Sequence, residues 1–337
     1  MLRSAASPSA RWLVSAIALA LALSAAPTLA NTAAASDPDQ RRIGLPGEAV
    51  FGARVEPTPG MSPRQSVEAL EAELGTPLPL VSEYLDWDDS FPSSYQQWLI
   101  NSGHRLVLLV KLKRNDGSRP LWSKLAAAQP GDRLYRELLA WAESIRDVGE
   151  PVYFVFHKEP NEFPNRANGS APAYKDAWHR VAEVFDAAGA TNAQLVFALA
   201  GSIYARPLSV ETWYPGDDVV DVIAASGVNG DCSATRCNWR SQEQIMSKMV
   251  AWSASHVAQS IAVIEGATVE DPNKPLRKRN WIDDAHAYLG GDFVDRVAFF
   301  SYWSSSAGTD FRLTTSPKAV AAGARWASDP VWGADPN

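Results

Sequence analysis

Apolar positions along this chain follow two alternating rhythms. Short, nearly continuous apolar runs occupy residues 50–55, 78–84, 106–111, 152–156, 194–198, 219–224, 261–264 and 296–301. That is the pattern of parallel strands covered on both faces. Between them lie longer amphipathic runs with helical spacing, at 63–74, 133–147, 174–188, 242–255, 274–289 and 317–327. Their start signals are local. Ser62-Pro63-Arg64-Gln65 and Ser241-Gln242-Glu243-Gln244 read as capping boxes, Ser316-Pro317 opens the last run, and Asp132 can cap the run at 133. In the run at 174–188, Ala177, Val181, Val184 and Phe185 share one stripe. Only the fifth crossover, near 207–214, lacks a convincing helical pattern. Eight strands with crossovers predict the α/β class and a single (β/α)8 TIM barrel over residues 46–332.

Length and composition refine this. At 337 residues the chain is long enough for two domains, but no Gly- or Ser-rich linker divides it and no internal repeat is visible. The first 30 residues have the layout of a secretory signal peptide: Arg3 and Arg11, an apolar stretch at 12–23, and Thr28-Leu29-Ala30 before a cleavage point. Residues 31–45 then form a loose leader, and the expected location is extracellular or periplasmic, with no membrane association once the signal is removed. In that setting Cys232 and Cys237, spaced C-x4-C, either bridge a tight loop or remain as two thiols. A formal net charge of −7 gives no field to gather nucleic acid. A monomer is expected, with no metal or cofactor. The five His are scattered, and there is no phosphate-binding loop, dinucleotide fingerprint or nucleophile elbow.

In such a barrel the chemistry sits at the C-terminal ends of the strands. The fourth run ends Phe156-His157-Lys158-Glu159-Pro160-Asn161, and the seventh ends Ile264-Glu265-Gly266. Each places a carboxylate where an apolar strand meets the active face. Glycoside cleavage needs such a pair, one group to protonate the leaving oxygen and one to attack or activate water. The composition adds 13 Trp. Sugars stack their C–H faces on aromatic rings, and Trp87, Trp239, Tyr302 and Trp303 fall at strand ends or in the loops beyond. Trp98, Trp141, Trp178, Trp252, Trp281 and Trp326 fall in helical runs, where packing is expected. Asn229 and Asp231 either bond sugar hydroxyls or serve the turn Asn229-Gly230-Asp231. Lys111, ending the third run, faces either the site or solvent.

The run Phe156–Asn161 and the Ile264-Glu265-Gly266 end resemble glycoside hydrolase family 26, which contains β-mannanases and related endo-acting β-glycanases. Several further segments share that likeness: Phe51-Gly52-Ala53, Tyr84-Leu85-Asp86-Trp87, Tyr214-Pro215-Gly216-Asp217-Asp218 before Gly227-Val228-Asn229, Trp281, Tyr302-Trp303 and Asp310-Phe311-Arg312-Leu313. The resemblance spans roughly residues 49–330. It implies retaining hydrolysis of a β-linked polysaccharide, with Glu159 as acid/base and Glu265 as nucleophile. It also implies that His157, Asn161, Trp87, Asn229, Tyr302 and Trp303 line the substrate site. One position departs from the family pattern, since Lys158 stands where the family carries His. That departure motivates an alternative, a barrel that binds polysaccharide without cleaving it. A glycosidase for a cell-wall or capsular glycan is the third option. Because adjacent strand residues point to opposite faces, the spacing expects Lys158 to aim away from Glu159.

Overall fold

The computed structural model describes residues 49–230 and 238–333. The proposed signal peptide, the leader and the Cys232/Cys237 pair lie outside these residues. Eight strands form a closed barrel in chain order, each parallel to its neighbours. They are β1 (Val50–Val55), β2 (Leu80–Asp86), β3 (Arg105–Lys111), β4 (Val152–Phe156), β5 (Ala193–Ala200), β6 (Val222–Asn229), β7 (Ser260–Thr268) and β8 (Val297–Ser304). Around them run α1 (Pro63–Leu74), α2 (Ser94–Asn101), α3 (Trp122–Ala126), α4 (Arg133–Val148), α5 (Ala171–Ala187), α6 (Pro207–Trp213), α7 (Gln242–Ser253), α8 (Arg277–Leu289) and α9 (Pro317–Ala327). Among the described residues, no helix is long and apolar enough to cross a membrane.

Local chemistry explains the helix starts. Ser62, Ser93 and Ser241 each accept from the third helical N–H, and Gln65, Gln96 and Gln244 reciprocate, completing capping boxes at α1, α2 and α7. Asp132 does precede α4, but its carboxylate accepts from the Gln129 N–H at 2.9 Å instead of capping the helix. The fifth crossover is helical after all. A 3-10 turn at Gly201–Ala205 leads into the short α6, which Pro207 opens and which buries Val210 and Trp213.

Two apolar layers result from the strand alternation. One fills the barrel with Val50, Leu80, Val107, Leu109, Tyr153, Val155, Val196, Ala198, Val222, Ala224, Ala262, Ile264 and Phe299. The other lies between strands and helices and holds most of the Trp residues, among them Trp122, Trp141, Trp178, Trp281, Trp326 and Trp332. Six of the Trp side chains are under 2% exposed, so the aromatic surplus is largely packing.

Candidate active site

Counting by two from the interior residues shows which side chains cap the barrel at its C-terminal end. Leu80 and Ser82 lead to Tyr84 on β2, and Val107 and Leu109 lead to Lys111 on β3. Val222 and Ala224 lead to Ser226 on β6 in the same way. Arg54 on β1 and Trp303 on β8 pair in register.

The two glutamates reach this layer only because their strands break the alternation. On β7, Ala225 of β6 pairs with Val263 but Ser226 pairs with Glu265, so Ile264 is an extra residue. This bulge shifts the period, and both Ile264 and Glu265 turn toward the barrel axis. Gly266 follows, and a Cβ there would collide with the Phe300 ring. On β4 the strand ends at Phe156. His157 and Glu159 then take left-handed φ values of 48° and 51°. His157 therefore swings outward, fully buried, against Trp122 at 5.2 Å, and its Nδ1 accepts from the Leu112 N–H at 3.0 Å. Burial pushes the imidazole down to about 3, so it is neutral and braces the turn. The turn is also held from above: Asn165 Nδ2 donates to the carbonyls of Lys158 and Glu159 at 3.0 and 3.1 Å.

The same kink reverses the expected direction of Lys158. Its Nζ donates to Tyr84 Oη at 2.9 Å, ion-pairs with Glu265 Oε2, and lies 3.8 Å from Glu159 Oε2. One ammonium thus touches both carboxylates. Ser226 Oγ donates to Glu159 Oε1. Glu265 Oε1 is buried and has no partner among the described residues. Burial pushes the Glu265 carboxyl up, to about 8, and the Lys158 amine down, also to about 8. Their direct contact opposes both shifts, because each charge favours the other. A cleft of about 310 Å³ opens over the pair, lined by Glu159, Ser202, Ser226, Arg240, Glu265 and Trp303.

The other expected site residues are placed differently. Trp87 is 1% exposed; its Nε1 donates to Glu137 Oε2 at 3.1 Å and its ring meets Phe156 edge-on, so it packs in the layer between strands and helices. The aromatic side chain that β2 presents to the site is Tyr84. Tyr302 is fully buried, with its hydroxyl toward the Thr268 carbonyl at 3.3 Å. It faces the helices because Trp303, its neighbour, faces the axis. Asn229 braces the ends of β6 and β7, donating to Thr268 Oγ1 at 3.0 Å and accepting from the Arg240 N–H at 3.0 Å. Asn161 turns to Glu162, its Nδ2 donating to that carboxylate at 2.7 Å. Of the expected sugar-binding aromatics, Trp303 lines the cleft, stacked on Phe311 at 5.2 Å. Trp239 is half-buried, with the Arg277 guanidinium 4.5 Å over its ring. Sequence reasoning missed Ser226, Tyr84 as the inward aromatic side chain, and Asn165. Period-two counting from Leu80 and Val222 finds the first two; Asn165 carries no sequence signal. Among the described residues there is no cluster of three His, Cys, Asp or Glu side chains able to hold a metal.

No protein-family model matches the chain. Endoglucanase H of Acetivibrio thermocellus is 24% identical over 283 residues, which cover 81% of this chain and 29% of that protein. Two solved structures share the architecture. The family 26 domain of an endo-β-mannanase/endo-β-glucanase from Prevotella bryantii has a TM-score of 0.58 at 11% identity, covering 87% of this chain and 92% of its own. The catalytic domain of an endo-β-1,4-mannanase from Bacillus sp. JAMB-750 has a TM-score of 0.59 at 14% identity, covering 88% and 90%. In fold, this chain is a (β/α)8 barrel of the kind found in glycoside hydrolase family 26.

Proposed function

We propose that this chain is a secreted retaining glycoside hydrolase that cleaves a β-linked polysaccharide, β-mannan or a related β-glycan. The observation that carries it is the meeting of Glu159 and Glu265 at one ammonium beneath a cleft walled by Trp303. Both carboxylates lie within reach of that one ammonium, which supports a close pair of the kind retaining chemistry uses, ~5–5.5 Å apart. The similarity to an endoglucanase and to β-mannanases supports the substrate class.

The mechanism follows from the partners of each oxygen. Glu265 Oε1, free of hydrogen bonds among the described residues, attacks the anomeric carbon. The glycosidic C–O bond breaks as Glu159 gives its proton to the leaving oxygen, and a glycosyl ester forms on Glu265. Water then attacks the same carbon. Glu159, now a carboxylate, takes the water's proton, and the ester C–O bond breaks to restore Glu265. Lys158 suits both halves. In the free enzyme it favours the charged form of Glu265. Once Glu265 is esterified it has no charge, and the ammonium is left facing Glu159 Oε2 alone.

The wild-type chain is expected to release reducing ends from β-mannan or a mixed-linkage β-glucan, with the first-formed product keeping the β configuration. A folded chain that releases none from any β-linked polysaccharide, or that yields the α anomer, removes this reading. One observation favours a second reading, a barrel that binds without cleaving: Lys158 stands between the carboxylates. Retardation in polysaccharide gels without product is its signature.

A further inference from the structure

The rim of the barrel is charged unevenly. The chain is acidic overall, yet the C-terminal ends of β1, β3 and β4 and the loop after β3 bring together Arg54, Lys111, Lys113, Arg119 and Lys158. Three of these cations meet carboxylates: Arg54 with Glu83 at 3.4 Å, Lys113 with Asp86 at 2.6 Å, and Lys158 with Glu265. Lys111 and Arg119 do not meet a carboxylate among the described residues. Arg119 has one long bond, to Asn168 Oδ1 at 3.4 Å.

Lys111 points into the site by the alternation of β3, and its Nζ lies over the Tyr84 ring, 5.2 Å from the centroid. Lys158 Nζ is at the same distance from that ring and bonds its hydroxyl. Two ammonium groups therefore flank one tyrosine, and the two repel. Burial and Lys158 push the Lys111 amine below the usual lysine range, Lys113 and Arg119 add to the effect, and the Asp86 carboxylate, already paired with Lys113, opposes it only in part. An aromatic face offsets part of such a cost, less than a carboxylate would. A neutral glycan offers Lys111 nothing better than hydroxyls. A half-buried cation kept beside Lys158, over the same Tyr84 ring and next to the glutamate pair, fits a substrate that brings its own negative charge.

We propose that the substrate carries an anionic substituent, a uronic acid carboxylate or a sulfate ester, which Lys111 and Arg119 hold beside Tyr84 on the β2–β3 side of the scissile bond. This rests on the glycosidase reading of Glu159 and Glu265. An acidic group there makes a charge-assisted hydrogen bond to Lys111 Nζ and separates its charge from that of Lys158.

Hydrolysis and binding test it separately. Three β-linked oligosaccharides serve as probes: one containing glucuronate, its carboxyl-reduced neutral counterpart, and a sulfated form of the latter. In the wild type, kcat/KM for one of the two anionic probes is expected to exceed the neutral one by about tenfold or more, and the preferred probe identifies the substituent. Lys111→Met is expected to lower that ratio about tenfold, mainly through KM, with Lys111→Arg restoring most of it. Thermal unfolding of each variant checks that the barrel is intact. Calorimetric titration of the same probes into Glu265→Gln reads binding without turnover. Charge-selective binding with no hydrolysis by the wild type keeps the anion site and removes the hydrolase. Equal binding of charged and neutral probes, or a ratio that Lys111→Met leaves unchanged, overturns the anion site even where hydrolysis proceeds.

Discussion

Glu265→Ala is expected to lower kcat on β-linked polysaccharide by a factor on the order of 10⁴ or more, because it removes the atom proposed to bond to the sugar. Glu159→Ala is expected to cost about 10²–10⁴, the usual worth of a general acid/base. The two losses differ in kind. An aryl glycoside with a good leaving group needs little protonation, so its first step survives in Glu159→Ala, whereas Glu265→Ala fails on every substrate. Added azide, which needs no general base, is expected to speed turnover of the aryl glycoside by Glu159→Ala and to emerge as a β-glycosyl azide. Both variants are expected to keep the barrel. Among the described residues Ser226 and Lys158 are the partners of the Glu159 carboxylate, and both remain when Glu265 is removed. Steady-state kinetics on both substrate types, with unfolding temperatures alongside, checks this. Equal losses on polysaccharide and aryl glycoside in Glu159→Ala contradict its role as acid.

Lys158→Met is expected to move the acid limb of kcat/KM upward, toward the value of about 8 that burial and Arg54 set for Glu265. As the proposed nucleophile, Glu265 can attack only as a carboxylate. Burial, opposed by the Arg54 charge, pushes that carboxyl up to about 8, and the Lys158 ammonium acts in the same direction as Arg54 through direct contact. Removing the ammonium leaves burial opposed by Arg54 alone. The nucleophile then holds its proton at neutral pH and loses it only as pH rises through about 8. Two pH units below that limb the ionised fraction is about one in a hundred, so activity at pH 6 falls by about 100-fold and recovers toward pH 9. A pH–rate profile of variant and wild type reads the shift. A variant as active as the wild type at pH 6, with an unmoved limb, contradicts Lys158 as the counter-ion of the nucleophile.

Much of the barrel was legible because the signals are local. The bounds of β1, β4, α1 and α9 match the expected runs, since apolar strands and serine caps are decided within a few residues. Strand ends were less legible: β7 runs on to Thr268, carrying Glu265 inside the strand and not at its edge. Which side chains face the axis depends on backbone irregularities that the residue pattern does not announce. The bulge at Ile264 turns Glu265 inward, and left-handed His157 turns Lys158 toward Glu265 against simple alternation. Trp87 looked like a sugar platform from its position after a strand. It packs in the core because Leu80, Ser82 and Tyr84 already define the inward face of β2, and its Nε1 is satisfied by Glu137. Tyr302 and Asn229 gave the same false signal, as both are buried groups whose partners come from β7. The glutamate pair itself was legible from strand order, and the cation between the two carboxylates was not.

The nucleophile is most directly identified by a covalent label. A 2-deoxy-2-fluoro β-glycosyl fluoride of the preferred sugar slows both steps, while its fluoride leaves without needing an acid, so the glycosyl ester accumulates. Mass spectrometry of the intact chain followed by peptide mapping is expected to find one added glycosyl group, on Glu265, and none in Glu265→Gln. A label on any other carboxylate, or turnover of the reagent with inversion and no label, would contradict a double displacement through Glu265.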